Sequence, residues 1–350
     1  MQLDKAIAFL ENSFIRDILK VPGVTDISYN GKDIYFVCNY YGRKKAAITV
    51  EYNEVKDFIR QLANIAEKQF SYQSPYLDVS IGKYRINATH QSIARLKNME
   101  TLHFSIRVAG DEESIYDGSG FVSEELQTLL ELFIKEKKSI VIGGVTGCGK
   151  TELQKYLIKK MKANTRLIII DNVLELANLH NVDELDINIW QSDERNKEAT
   201  MQNLVKNALR CNPDWLIVAE SRGAEMIEVL NSAMTGHPII TTIHAFDIDS
   251  MPHRMGRMVM MNDKKMDYES VMDDIYHHFR LFIHLKSKAR RGGSIYRFIS
   301  SVAYFDDKGK RHLIYQNKND VIKYYALDKK LLAFFEEETI KKIPEVFLKQ

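Results

Sequence analysis

Gly144-Val145-Thr146-Gly147-Cys148-Gly149-Lys150-Thr151 places a glycine four residues ahead of Gly-Lys-Thr, and its flanks suit that spacing. In front of it, Ser139-Ile140-Val141-Ile142 is a short β-branched apolar run that predicts a buried parallel strand. Behind it, Leu153, Leu157 and Met161 recur at helical spacing within Glu152–Lys162, the stripe of an amphipathic helix. A strand that feeds a glycine-rich turn opening a helix aims backbone N–H groups and the helix dipole at a phosphate chain. The stretch therefore reads as a site for a nucleoside triphosphate. Lys150 would reach the β- and γ-phosphates and the Thr151 hydroxyl would hold Mg²⁺.

At 350 residues the chain is long enough for two domains. With 45% hydrophobic and 27% charged residues its composition is that of a globular protein, and a net charge of +2 gives no bulk drive toward nucleic acid or anionic membrane. Cys38, Cys148 and Cys211 are too few and too scattered for a disulfide framework or a zinc site, so a reducing compartment is expected. No apolar run approaches the roughly 18 residues that span a bilayer. Met1-Gln2-Leu3-Asp4-Lys5-Ala6 does not resemble a signal peptide. The expectation is a cytoplasmic protein, docked at most on the face of a membrane assembly.

Two regions differ in pattern. Residues 1–109 mix helical stretches (Asp4–Lys20, Val55–Gln69) with strands (Ile34–Cys38, Ala47–Val50, Val79–Ala88, Thr101–Val108). Asn30-Gly31 predicts a tight hairpin turn after Asp26–Tyr29. The whole suggests a small α+β domain. Residues 110–120 are acidic and glycine-bearing, a linker. From 121 onward helices (Glu124–Lys135, Glu152–Lys162, Met201–Arg210, Glu225–Met234) alternate with strands (Ser139–Ile142, Leu167–Ile170, Leu216–Val218, Ile239–Ile243). That alternation predicts an α/β domain on a mainly parallel sheet over 121–350.

Three further groups carry chemistry. Trp215–Ala219 is an apolar strand that ends in Glu220, where a phosphate-loop enzyme needs an acid to orient Mg²⁺ or its water. Leu167–Ile170 ends in Asp171, with Glu175 close behind, and such an acid beside a γ-phosphate can polarise the attacking water. Spacing alone does not say which acid takes which role, or whether Asp171 and Glu175 are simply solvated. His237 and His244 flank the strand Ile239–Ile243 with threonines beside each, a pattern that fits a γ-phosphate sensor or two structural histidines. Lys286–Arg291 is a basic cluster that fits a solvated hairpin tip better than a base-stacking surface. The methionines between Met251 and Met266 fit adaptable core packing better than a partner groove.

The phosphate loop, Asp171-Asn172 with Glu175, Asn212-Pro213-Asp214 leading to Ala219-Glu220-Ser221-Arg222-Gly223, and Thr235-Gly236-His237 with Thr242-Ile243-His244-Ala245 follow one another in the order of a known family. The chain resembles the type II/type IV secretion traffic ATPases, the motors of secretion, conjugation and pilus assembly. The likeness also covers Val24–Gly31, Gly82–Ala88, Ser105-Ile106-Arg107 and the late hairpin around Phe282–Gly293.

What the resemblance implies is a RecA-like phosphate-loop ATPase domain preceded by a smaller α+β domain. The nucleotide would be held by residues 144–151, with Asp171 at the position of a catalytic acid, Glu220 as metal ligand, and His237 and His244 as the histidine box. Arg85 and Arg107 would act as arginine fingers, and Arg222 would tie nucleotide state to subunit contacts. It further implies ATP and Mg²⁺ as ligands, a homo-hexamer, and an inner-membrane secretion or pilus platform as partner, with nucleic acid not expected as a direct ligand. One departure stands out, because Asp171-Asn172 replaces a usual Glu-Asp and the acid is one methylene shorter. Two alternatives stay open, a nucleic-acid translocase on the same core and a scaffold that binds ATP without cleaving it.

Overall fold

The computed structural model describes residues 2–109, 121–177, 179, 182–194, 196–262, 266–290 and 293–348. The linker expected at 110–120 lies outside these residues, as do Arg291 of the basic cluster and Gly292 of the late hairpin. The chain divides into two units, Met1–Asp111 with Lys288–Tyr296, and Glu112–Ser287 with Arg297–Gln350.

The first unit contains α1 (Gln2–Glu11), α2 (Arg16–Leu19), β1 (Val24–Tyr29), β2 (Ile34–Cys38), β3 (Gly42–Lys45), α3 (Tyr52–Ile65), β4 (Tyr76–Ile81), β5 (Tyr84–Thr89), the short pair β6 (Arg95–Leu96) and β7 (Met99–Glu100), and β8 (His103–Val108). Six strands form an antiparallel sheet in the order β3-β2-β1-β8-β5-β4. Val55, Phe58, Ile59, Leu62 and Ala63 form the buried stripe of α3 and pack with alternate sheet residues such as Ile27, Ile86 and Ile106. A fully buried Leu, Ile or Phe there contributes about 1.5–3 kcal/mol over its exposed state.

The expected Asn-Gly turn is wider than a two-residue turn, because Tyr29 pairs with Ile34 and residues 30–33 form the loop. The Asn30 side chain shapes it by accepting from the backbone N–H of Lys32 at 3.0 Å and Asp33 at 2.8 Å. The opening helix is split into two, and the strand expected over Ala47–Val50 is replaced by β3.

The second unit runs α4 (Glu124–Lys135), β9 (Ile140–Gly144), α5 (Lys150–Lys159), β10 (Arg166–Asp171), β11 (Asp186–Gln191), α6 (Met201–Ala208), β12 (Trp215–Val218), α7 (Met226–Met234), β13 (Ile239–Ile243), α8 (Ser250–Val259), α9 (Tyr268–His278), β14 (Leu281–Ala289), β15 (Ile295–Phe305), β16 (Arg311–Lys318), β17 (Val321–Tyr324), α10 (Lys329–Leu332) and α11 (Glu337–Ile340). Its sheet order is β11-β10-β12-β13-β9-β14-β15-β16-β17. The strands from β11 to β14 pair in parallel.

The runs Ile140-Val141-Ile142, Leu167–Ile170 and Trp215–Val218 in β9, β10 and β12 are continuously apolar because both faces of the sheet are covered there. Ile140 and Ile142 join α4 and α5 in one core, while Val141 turns to the opposite core with α6, α7, α8 and α9. Met251, Met255 and Met258 are fully buried in that second core, so the methionine run is mostly packing, although Met261 is exposed. The last residues close on α4, where Phe335 meets Phe133 at 5.0 Å and Lys135 Nζ donates to Thr339 Oγ1 at 2.9 Å. Among the described residues no helix is long and apolar enough to cross a membrane.

Candidate functional site

The phosphate loop leaves β9 between its neighbours β13 and β14 and enters α5 through Gly149, whose left-handed backbone (φ 99°) caps the helix. Gly144 admits no other residue, since at φ 152° a Cβ would lie 2.5 Å from Cys148 Sγ and 2.7 Å from the Leu285 carbonyl oxygen. Gln154 anchors the helix from below. It is fully buried, and its Nε2 donates to the carbonyls of Val218 at 3.1 Å and Ile240 at 3.3 Å. The N-terminus of α5 is thereby fixed at the carboxyl edge of the sheet, where its first N–H groups point outward.

Lys150 is buried inside the loop. Its Nζ donates to the carbonyls of Gly144 at 3.1 Å and Val145 at 3.3 Å and lies 3.4 Å from His244 Nδ1. A lysine ammonium only donates, so His244 Nδ1 is the acceptor and the ring proton sits on Nε2. Burial first, and the Lys150 charge next, hold His244 below its ordinary pKa of 6.5, which keeps the ring neutral.

On its other side His244 Nε2 lies 2.7 Å from Glu220 Oε1, yet that buried oxygen receives no aligned hydrogen bond. Glu220 Oε2 accepts from Arg222 Nη2 at 2.5 Å. Burial works to raise the Glu220 carboxyl, but Arg222, His244 and Lys150 outweigh it and hold the group below its usual range. Lys150, His244, Glu220 and Arg222 thus stand in one row, hydrogen-bonded at its two ends and joined in the middle by the close approach of His244 to Glu220.

The two remaining acids have different surroundings. Asp171, at the end of β10, is fully buried. Its Oδ1 accepts from the backbone N–H of Val173 at 2.9 Å and its Oδ2 from that of Leu176 at 2.9 Å. Burial pushes its carboxyl up, against those backbone donors. Asp171 therefore folds its own loop, with Leu174 at φ 58° and a short 3₁₀ turn over Glu175–Ala177. That loop carries Glu175 to the phosphate loop, where its Oε2 accepts from Thr151 Oγ1 at 2.8 Å. Arg222 also feels the Glu175 charge, after that of Glu220.

His237 does not join this cluster. It precedes β13 at the edge where Ile239 N donates to Ser139 Oγ at 3.2 Å, and its Nδ1 lies 3.2 Å from Thr235 Oγ1. His244 follows the same strand at the opposite edge, roughly 16 Å away along five residues. Arg85 and Arg107, in the first unit, are cross-strand partners on β5 and β8. Like charges directly opposite one another repel. Asp78 offsets Arg85 at 3.4 Å and Asp26 offsets Arg107 at 3.9 Å.

Three residues of the site were not singled out in the sequence. Gln154 carried a signal, a polar side chain on the apolar stripe of α5. His284 is buried with Nδ1 2.8 Å from Ser300 Oγ and Nε2 3.3 Å from the Ala245 carbonyl, and so holds the chain just after His244. Arg297 Nε donates to the Gly147 carbonyl at 2.7 Å. His284 stood in the late hairpin around Phe282–Gly293 without a role assigned to it, and Arg297 stood in no motif.

The chain is similar to several known proteins. An uncharacterized protein of Bacillus anthracis is 26% identical over 269 residues, 76% of this chain and 59% of that protein. The type IV secretion system protein VirB11 of Brucella suis is 30% identical over 198 residues, 55% of this chain and 54% of its own. The chain thus spans little more than half the length of these curated relatives. The Legionella pneumophila ATPase DotB shares the fold with a TM-score of 0.59 at 20% identity, over 88% of this chain and 80% of that one. The sequence profile that matches residues 83–310, well over half of the chain, is that of the type II/IV secretion system proteins, and to that family the chain belongs.

Proposed function

We propose that this chain is an ATPase that converts ATP hydrolysis into motion for secretion, conjugation or pilus assembly at a membrane platform. The observation that carries the reading is the convergence of Lys150, His244, Glu220 and Arg222 on one end of the phosphate loop, with Glu175 on Thr151 at the other. The loop amides of 144–151 and Lys150 bind the phosphates. Glu175, rather than Asp171, is the acid that fixes Thr151 and the attacking water. Neutral His244 links the Lys150 ammonium to Glu220, so occupancy of the γ-phosphate position is felt at Arg222. Arg85 and Arg107 supply counter-charge for phosphoryl transfer, and His237 acts away from the phosphates in its own subunit. The chain works as a homo-hexamer built from an α+β domain at 1–109, a linker at 110–120 and a RecA-like domain at 121–350.

Mg²⁺ fits the residues present. The Glu220 Oε1 atom is buried without an aligned donor, and the Thr151 hydroxyl gives its proton to Glu175, which leaves its lone pairs for a hard cation. Among the described residues no three His, Cys, Asp or Glu side chains group to hold a metal by themselves, so the ion would also need phosphate oxygens and water. Bound there, it would neutralise charge on the β- and γ-oxygens.

Phosphate release by the purified chain tests the reading. Turnover is expected with Mg²⁺ and ATP and no stimulation by DNA, since the net charge is only +2. Turnover that rises with DNA and collapses with salt would favour a translocase. ATP that survives uncleaved would favour a scaffold.

The pH dependence follows from His244. Its depressed pKa keeps the ring neutral at and above 6.5, and the lone pair facing Lys150 is lost as pH falls through the lowered value. Turnover between about pH 5 and pH 8 should be flat on the neutral side and decline on the acid side. His244→Gln should remove that acid limb from the pH–rate profile, and an unchanged limb in the variant would refute the assignment.

A further inference from the structure

Gly147 stands at the apex of the phosphate loop with φ 75°, and a Cβ built there would meet nothing within 4 Å. The Cβ side of the apex therefore faces open space, and a glycine there keeps more conformational freedom than any other residue. The base of the loop is fixed by Lys150 through the carbonyls of Gly144 and Val145. Neither of those bonds reaches Gly147.

The apex is held from β15. Arg297 Nε donates to the Gly147 carbonyl at 2.7 Å, a charge-assisted hydrogen bond at the short end of the range. The stem of the same side chain runs over the loop, with Cδ 3.6 Å from where a Gly149 Cβ would stand. Phe121 and Leu285 lie at 3.7 and 3.8 Å from that point. One arginine thus covers Gly149 with its methylenes and binds Gly147 with its guanidinium, so the two left-handed glycines of the loop share one restraint.

We propose that Arg297 is a positioning residue of the nucleotide site, which holds the apex of the phosphate loop in its phosphate-cradling shape before the ligand arrives. With the Gly147 carbonyl turned toward Arg297, the chain direction is fixed at the apex of the turn that the Cys148 N–H closes onto the Val145 carbonyl at 3.4 Å. A pre-ordered cradle loses less entropy on binding, so the benefit appears in affinity more than in the chemical step. This inference rests on the nucleotide-binding reading above and adds a residue that stands in no phosphate-binding motif.

Two substitutions separate the stem from the donor. Arg297→Met keeps an apolar stem over Gly149 and removes the hydrogen bond, while Arg297→Lys keeps a cationic donor. With a fluorescent ATP analogue and Mg²⁺, Arg297→Met should weaken Kd and raise KM about tenfold, with kcat within about twofold of wild type. Arg297→Lys should recover most of the lost affinity, and both variants should melt with the wild type. Wild-type Kd in Arg297→Met would overturn the inference, as would a fall in kcat at unchanged Kd. Equal losses in both variants with a lowered melting temperature would also overturn it, by showing a part of the fold alone. A wild-type chain that takes up no nucleotide would instead remove the functional reading itself.

Discussion

Lys150→Ala is expected to lower ATP turnover by about 10²–10³-fold while the protein stays folded. The ammonium is the charge at the centre of the phosphate loop, and its Nζ already sits on the carbonyls of Gly144 and Val145. Its removal takes away the cation for the β- and γ-phosphates and loosens the base of the loop. The structural cost is two weakened carbonyl contacts, about 1–3 kcal/mol, which a domain of this size survives. A second readout belongs to the same substitution. The Lys150 charge helps to depress both His244 and Glu220, so without it both pKa values should climb back toward their ordinary ranges. Proton NMR of the His244 ring would show the rise. Phosphate release by Lys150→Ala at the wild-type rate would contradict the site.

Glu175→Gln should reduce kcat by about 10²-fold with little change in nucleotide affinity, and Asp171→Glu should not raise turnover. The contrast rests on where each carboxylate points. Glu175 accepts from the Thr151 hydroxyl at 2.8 Å, so it stands at the phosphate loop. Both oxygens of Asp171 are taken by the N–H groups of Val173 and Leu176, and no part of it is exposed. A longer side chain there has no room and would overpack the site at a cost of about 1–3 kcal/mol. Steady-state kinetics and thermal melting of both variants decide the matter. A gain of turnover in Asp171→Glu, with Glu175→Gln near wild type, would return the reactive role to Asp171.

The phosphate-loop half of the molecule was legible because its signals are local. Gly144 must be glycine for reasons of backbone and space and Gly149 for its left-handed backbone, and the middles of β9, β10 and β12 are apolar because helices cover both faces. The direction of Asp171 was not legible. An acid after an apolar run looks the same whether it faces a ligand or turns back on its own loop, and the turn depends on the left-handed Leu174. The two histidines around β13 looked like a pair because they flank one strand, but a parallel strand has two edges and only His244 follows the edge that bears the phosphate loop.

In the first unit Ala47–Val50 has the composition of a strand, yet pairing with β2 is taken by Gly42–Lys45, since the short turn after Cys38 sets Cys38 opposite Gly42. Ile48 and Val50 pack on the core as irregular chain instead. Strand β11 was missed because its pattern is half-buried and weakly periodic, and the C-terminal strands and short helices carry no motif.

Calorimetric titration of the intact chain with ATP, in the presence and absence of Mg²⁺, bears most directly on the nucleotide site. Saturable binding of one ATP per chain, tighter with the metal and governed by Lys150, is the expected result. No heat of binding from a folded, monodisperse protein, or identical binding by Lys150→Ala, would contradict it.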